Sequence, residues 1–377
     1  MSRNWQRRGA DLACRVAVRL LPQRLRTWGL AVRQEAAAVT DDREALRFAL
    51  AGIRGLVGCA VADVLSSAEG RFAMTINRNA MQSPRVVGVV CAIGAVMLGL
   101  AYLHMAGAPT RYLAINGAAL VLGLVLAAMT ALFVPAHSRG AGAAVLTMAL
   151  GLFVTSLIGD QVDGAARWVK LGPLAIQPSL IVLPWMILSF ARARSALGLA
   201  GMIVAAAALA IQPDRAMAGV LVAGLAGLVA MRRDRAGFVA LIASVAAFGA
   251  TLVRGDTLPP APFVDRILTS AFDVHAAAGL AVVGGSALLV VPALVQWRGD
   301  REVQSAFAGV WQAVIAAAAL GNYPTPLVGF GGSAILGYLL SLTLLSTRSS
   351  RSPAAGAAIG AAGDVPEPDG ALRIATA

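Results

Sequence analysis

Ten stretches of this chain are long and apolar: residues 86–106, 112–135, 140–158, 174–191, 197–211, 216–231, 236–253, 276–296, 302–320 and 327–347. Nine carry no Asp, Glu, Lys or Arg, and the tenth of the set in charge terms, 302–320, carries only Glu302. A helix that crosses a bilayer needs roughly 20 apolar residues, so the longer stretches span unaided and the shorter ones borrow flanking residues or tilt less. The pattern predicts an all-α polytopic membrane protein, a bundle of ten transmembrane helices. Small residues one turn apart, such as Gly219, Ala223 and Gly227, permit close helix packing in such a bundle.

The first 85 residues follow a different pattern. Leu12, Val16, Leu20 and Leu21 recur at helical spacing among Arg15, Arg19 and Arg24. A second helix is predicted to start near Thr40, where Asp41 and Glu44 are placed for a capping box, and to run through Leu46, Leu50, Ile53, Val57 and Val61. These helices are amphipathic and too charged to span. They either lie on an anionic membrane surface or pack on each other. Residues 348–377 are Ala, Gly, Ser and Pro with scattered charge and read as a disordered tail. Three regions result: an Arg-rich amphipathic extension (1–85), a membrane domain (86–347) and the tail.

Composition supports the membrane reading. Of 377 residues 58% are hydrophobic and only 13% charged, which excludes an ordinary soluble globular domain. The net charge of +12 would suggest nucleic acid in a soluble protein; in a polytopic one it marks cytoplasmic connections, and no nucleic-acid partner is expected. Placing residue 1 inside gathers Arg139, Arg192, Arg194, Arg232, Arg233, Arg235, Arg298, Arg301, Arg348 and Arg351 on the cytoplasmic side, with both termini. The basic N-terminus is not followed by a short apolar run and small-residue cleavage site, so no cleaved signal peptide is expected. Cys14, Cys59 and Cys91 lack metal-ligand spacing, and His104, His137 and His275 are scattered, so neither a metal nor a cofactor is expected.

With that orientation four polar segments share the outer face: 159–173 running into Gln177-Pro178-Ser179, 211–215, 254–275 and 321–332. Three carry motifs: Gly164-Ala-Ala-Arg167-Trp168-Val-Lys170-Leu-Gly172-Pro-Leu-Ala-Ile-Gln177-Pro178-Ser179, then Gln212-Pro213-Asp214, then Pro324-Thr-Pro326-Leu-Val-Gly-Phe330-Gly331-Gly332-Ser333. In order and on one face, they resemble the outer motifs of the FtsW/RodA/SpoVE (SEDS) family, over about residues 86–347. The resemblance implies a peptidoglycan glycosyltransferase of the bacterial cytoplasmic (inner) membrane. Such an enzyme polymerises lipid II, a lipid-linked disaccharide-peptide, releases undecaprenyl diphosphate, and works beside a class B penicillin-binding protein. It also implies a catalytic carboxylate in the loop Leu258-Pro-Pro-Ala-Pro262-Phe-Val-Asp265, at Asp265, with Asp273 as a nearby acid.

The resemblance assigns substrate contacts to Arg167, Lys170, Gln177, Ser179, Asp273 and Ser333. The chemistry suits such a transfer: a carboxylate takes the proton of the acceptor hydroxyl, and Arg167 and Lys170, with Arg215 or Arg266, offset the charge of the departing diphosphate. Trp168 reads as an interfacial anchor and Asp214, after Pro213, as a helix cap. Pro178 belongs to the motif frame, and Gly331 and Gly332 let the backbone turn before the last helix. The chain departs from the family pattern at three points: Leu180 stands where an acid is usual, the approach to Asp265 reads Pro259-Pro260-Ala261-Pro262 where a Pro-Glu pair is common, and Gly337 stands where the last helix usually has Asn. A lipid II flippase and a catalytically silent scaffold of the wall machinery remain as alternatives.

Overall fold

A computed structural model describes residues 4–21, 25–74, 83–133, 140–162, 165–172, 174–253, 259–294, 300–321 and 323–345. Arg139, Arg298, Arg348, Arg351, His137 and the tail of 348–377 lie outside these residues.

The apolar stretches form α4 (Pro84–Met105), α5 (Thr110–Phe133), α6 (Ala141–Ile158), α7 (Pro178–Arg192), α8 (Ala196–Ile211), α9 (Arg215–Met231), α10 (Arg235–Leu252), α12 (Ala276–Leu288) with the short α13 (Val291–Leu294), α14 (Arg301–Leu320) and α15 (Gly332–Leu342). Five of them, α4, α5, α6, α10 and α14, are long and apolar enough to cross a bilayer, and α7, α8, α9, α12 and α15 are shorter apolar helices. Two helices start later than the apolar run suggested. Residues 174–176 are a strand, and α7 begins at Pro178, whose missing N–H costs nothing in the first turn. Residues 327–331 are a loop, and α15 begins at Gly332.

The core is built by α7, α9, α14 and α15 around Phe190, Phe307, Trp311 and Tyr338. Trp311 donates to Ser341 Oγ, and Tyr338 donates to Leu289 O, which binds α15 to the end of α12. The small residues of α9 divide their work. A Cβ at Gly227 would lie 2.5 Å from Ser305 O, and one at Gly309 2.4 Å from Ala223 O, so α9 and α14 touch backbone to backbone. Gly219 instead faces Phe248 of α10.

Among the described glycines the tightest approach to another backbone joins α7 and α15: a Cβ at Gly337 would stand 2.1 Å from Leu180 O. Two of the three departures from the family pattern therefore meet. Installing the usual side chain through Gly337→Asn forces two backbones apart, and overpacking of this kind costs about 1–3 kcal/mol. The thermal unfolding midpoint of purified Gly337→Asn should fall by several degrees.

One end of the bundle is basic. Arg192 pairs with Asp300 at 2.9 Å, and Arg194 with Asp234 at 2.9 Å and Glu302 at 3.0 Å. Arg85 donates to the carbonyls of Thr343 and Leu345. These pairs tie the connections 192–196, 231–235 and 300–301 together.

The first region holds three helices rather than the expected pair: α1 (Asn4–Leu20), α2 (Arg26–Ala38) and α3 (Asp42–Met74). The extra one, α2, has its only large apolar residues, Trp28, Leu30 and Val32, in its first half, too short a run to mark a helix by periodicity. Asp41 Oδ1 caps α3 as expected, accepting from Arg43 N at 2.8 Å and Glu44 N at 2.9 Å. Ala10, Cys14, Ala36 and Ala49 form a small core, and Arg33 pairs with Asp11 and Arg7 with Asp42 across the helices. The hydrogen bond from Arg33, with the charges of Arg15 and Arg33, holds the Asp11 carboxyl below the usual carboxylate range. A depressed folded-state value means that the pair stabilises the folded unit at neutral pH and is lost as the pH falls through that value. Hydrogen exchange in α1 and α2 should therefore speed up modestly as the pH is lowered below about 4, after correction for intrinsic exchange.

Candidate functional site

At the end opposite the Arg192–Asp300 cluster, residues 323–333 form the hub around which the polar segments assemble. Pro324 and Pro326 stop α14 from continuing, because each removes a backbone donor and fixes φ. The segment instead pairs with the loop before α11 (Ile267–Val274). Asp265 and Pro324 form an antiparallel bridge, Thr325 N donates to Val264 O at 3.0 Å, and Phe330 N donates to Phe263 O at 2.8 Å.

A fully buried amide, Asn116 of α5, fastens the far end of the hub. Its Nδ2 donates to Gly329 O at 2.9 Å, and its Oδ1 accepts from Gly331 N at 3.1 Å. Gly331 has φ 157, open to glycine and strained for other residues, and this turn launches α15. Tyr112, four residues before Asn116, stacks on Phe330 with ring centroids 3.7 Å apart and meets Phe263 edge-on at 6.2 Å. Neither Asn116 nor Tyr112 was singled out from sequence. The available signal was the lone amide in the run 112–135. Asn116→Leu leaves the Gly329 carbonyl and Gly331 N–H without their partner, a loss of about 2–4 kcal/mol. Thermal unfolding of the variant should show it.

Asp265 sits half-buried on this framework. Its Oδ2 accepts from Ala261 N at 2.8 Å, while Ala261 O accepts from Asp265 N at 3.0 Å. In the run Pro259-Pro260-Ala261-Pro262 only Ala261 has an N–H, and this backbone amide is the one that the run offers to the carboxylate. Phe263 (φ 64) and Arg266 (φ 58) flank Asp265 in the left-handed region. Such residues cost on the order of 1–3 kcal/mol each and persist where surrounding bonds over-determine them, as the pairing with 324–330 does here. Arg266 is exposed beside Asp265. Asp273 is exposed near the far end of α11, about two turns on. His275 is a cap: its Nδ1 accepts from Ala277 N at 3.1 Å at the start of α12.

The segment expected as an irregular loop is a three-stranded antiparallel meander, β1 (Asp160–Val162), β2 (Ala165–Leu171) and β3 (Leu174–Ile176), in the order β1-β2-β3. Gly172, with φ 59, makes the turn between β2 and β3. Side chains alternate along a strand, so β2 sends Arg167 and Lys170 to opposite faces. Arg167 is buried: it donates to Pro213 O, and its guanidinium lies 5.8 Å from the Tyr323 ring centre. Lys170 is exposed and Trp168 half-buried. The two cations expected to act together are thus divided, one bracing the hub and one facing outward.

Asp214 is fully buried. Its Oδ1 caps α9 by accepting from Met217 N at 3.2 Å, and its Oδ2 accepts from Gln177 Nε2 at 3.1 Å and Ser179 Oγ at 3.2 Å. Gln177 and Ser179 are themselves buried and turned toward Asp214. Ser333 Oγ accepts from Gln177 N at 3.0 Å and so fastens the start of α7 to the start of α15. Pro178 opens α7, Pro213 holds an unusual φ of 25 beside the Arg167 contact, and Gly332 is the first residue of α15. Among the described residues, Arg167, Gln177, Ser179, Asp214, Ser333 and Asp265 are linked through residues 213–214 and 323–333. Asp265 is half-buried beside exposed Arg266, Lys170 and Asp273 are exposed on their own elements, and Arg167, Gln177, Ser179 and Asp214 are braces.

No protein-family model matches the chain. Among curated proteins it is 37% identical over 103 residues to a probable peptidoglycan glycosyltransferase FtsW of Nitrosococcus halophilus, covering 26% of this chain and 27% of that protein. It is 32% identical over 117 residues to the probable peptidoglycan glycosyltransferase FtsW of Alteromonas naphthalenivorans, covering 28% of this chain and 23% of that one. The match thus spans about a quarter of each curated relative. Among solved structures, the rod shape determining protein RodA of Thermus thermophilus superposes with a TM-score of 0.51 at 25% identity, covering 68% of this chain and 94% of that one.

Proposed function

We propose that this chain, a member of the FtsW/RodA/SpoVE (SEDS) family, is a peptidoglycan glycosyltransferase that polymerises lipid II at the outer face of the cytoplasmic membrane, with Asp265 as its base. The observation that carries this reading is the pairing of the Asp265 loop with residues 324–330. It holds a half-buried, amide-oriented carboxylate where the three motifs converge.

In this reading the isoprenoid tails of donor and acceptor stay in lipid while the sugars and diphosphate reach the polar end of the bundle. Asp265 takes the proton of the acceptor hydroxyl as that oxygen attacks the anomeric carbon of the donor. The glycosidic bond to the diphosphate breaks, and undecaprenyl diphosphate leaves with the bonding electrons. Arg266 and Lys170, both exposed, offset the charge that develops on the leaving group. Arg167 contributes through position, keeping Tyr323 and Pro213 in register with the Asp265 bridge. The product strand passes to a class B penicillin-binding protein, the family's partner for cross-linking.

A second reading, the silent scaffold, draws support from the Leu180–Gly337 contact, where backbone packing occupies the space that polar side chains usually take. One assay separates the readings: purified protein and its partner transpeptidase, supplied with labelled lipid II. Glycan polymer that vanishes in Asp265→Ala supports the glycosyltransferase. Polymer unchanged in that variant removes Asp265 as the base, and no polymer under any condition favours the scaffold. Lipid II that crosses vesicles without polymerising indicates a flippase.

A further inference from the structure

We propose that the N-terminal unit α1–α3 docks on the anionic lipid headgroups of the membrane that the rest of the chain enters. The docking surface is formed by Arg8 and Leu12 of α1 and by Arg43, Arg47, Leu50 and Arg54 of α3. The sequence left open whether these helices pack on each other or lie on lipid. The structure shows that the packing uses one set of residues and leaves a second set exposed.

Residues 1–85 contain 14 Arg against 7 Asp and Glu, a net +7 out of the chain's +12. The acids at the helix contacts are committed inside the unit: Asp11 pairs with Arg15 and Arg33, Asp42 with Arg7, and Asp41 caps α3. The guanidinium groups of Arg8, Arg43, Arg47 and Arg54 have no ion-pair or hydrogen-bond partner among the described residues, and all four side chains are exposed. On α3 the spacing 43, 47, 50, 54 places three of these cations and Leu50 on one stripe, since residues three and four apart share a helix face.

Apolar exposure accompanies the charge. Leu12 is 60% exposed and Leu50 is 52% exposed, although the core of the unit lies one helix face away at Cys14 and Ala49. Val16 and Phe48 are exposed near them, so the apolar side chains of α1 and α3 that face outward are interspersed with arginines. This is the arrangement by which a helix lies in a lipid interface, apolar groups dipping below the phosphates and cations contacting them. Arg side chains also suit phosphate geometry.

Chain length brings the surface within reach. Nine residues, 75–83, separate the end of α3 from the start of α4. Even fully extended they span only about 30 Å, so the unit stays close to the bilayer. It joins the chain at the basic end of the bundle, where Arg85, Arg192 and Arg194 lie. The positive-inside rule assigns that end to the cytoplasmic leaflet, which is rich in anionic lipid.

The test uses the full chain with its three cysteines replaced by alanine. A nitroxide is attached at Leu12→Cys or Leu50→Cys, and the protein is placed in nanodiscs of phosphatidylcholine alone or mixed with phosphatidylglycerol. In the mixed discs both labels should become more accessible to oxygen than to a water-soluble nickel chelate. They should return to chelate access in phosphatidylcholine or at high salt. The triple change Arg43→Gln, Arg47→Gln and Arg54→Gln should lower the docked-to-undocked ratio on the order of 10²-fold. These three guanidinium groups have no ion-pair or hydrogen-bond partner among the described residues, so the unit's hydrogen-exchange protection should be unchanged, and the salt titration of the parent chain provides an independent measurement. Labels that stay chelate-accessible in mixed discs overturn the proposal. So do labels equally shielded in both kinds of disc, and shielding that appears only when a soluble protein is added.

Discussion

Polymer formation by Asp265→Asn should fall by about 10²–10⁴-fold, the range that a positioned general base contributes, while the protein remains folded. The substitution is chosen for its geometry. An Asn side chain still offers an oxygen to Ala261 N–H, the bond that orients the native carboxylate at 2.8 Å, but it cannot take a proton at neutral pH. Loss of activity with an unchanged unfolding midpoint therefore isolates the chemical role. Asp265→Ala removes both functions, so any extra loss relative to Asp265→Asn reports the loop-ordering share. If Asp265→Asn polymerises lipid II at the parental rate, the carboxylate is structural and the base lies elsewhere. The readout is a single-turnover assay with the partner transpeptidase present, in which chemistry is separated from product release.

Asp214→Ala should be the most destabilising single change in the membrane domain, at about 3–5 kcal/mol. The carboxylate is fully buried and serves three donors at once: the side chains of Gln177 and Ser179 and the backbone of Met217. Truncation leaves all three in a place water does not reach, and it also removes the cap of α9. Asp214→Asn keeps an oxygen for Met217 N but presents a second amide toward the donors, so it should fall between parent and Ala. Unfolding in mild detergent, followed by tryptophan fluorescence, orders the three proteins. An Asp214→Ala protein as stable as the parent would mean that the cluster is decoration.

The bundle was legible in the sequence because lipid enforces it: a chain without polar residues over about 20 positions has few alternatives. Basic connections were legible for the same reason, and Arg192, Arg194 and Arg232 do share one end. The outer end was harder to read. Lipid sets no period there, and the segment 165–171 reads as a strand only once its partners at 160–162 and 174–176 are known. That is why Arg167 and Lys170, three positions apart, looked like one cluster and stand on opposite faces of β2. Asn116 was hidden differently: its partners lie 213 and 215 residues away, beyond any local pattern. In the fold the motif residues meet at one end of the bundle. The motifs could not say that Gln177 and Ser179 spend their polar atoms on Asp214, because that depends on how α7 packs beside the start of α9.

The hub at residues 323–333 also has a consequence for the order of synthesis. The Asp265 loop emerges from the ribosome before the segment that holds it, and Tyr323 lies 58 positions after Asp265. At ordinary elongation rates the loop waits about 3–12 s for that segment. Throughout that interval α4–α10 can already be inserted while the carboxylate has no fixed place. Ordering of the Asp265 loop is thus a late step of biogenesis, and a chain stalled within α14 would be integrated and helical with that loop still lacking its partner.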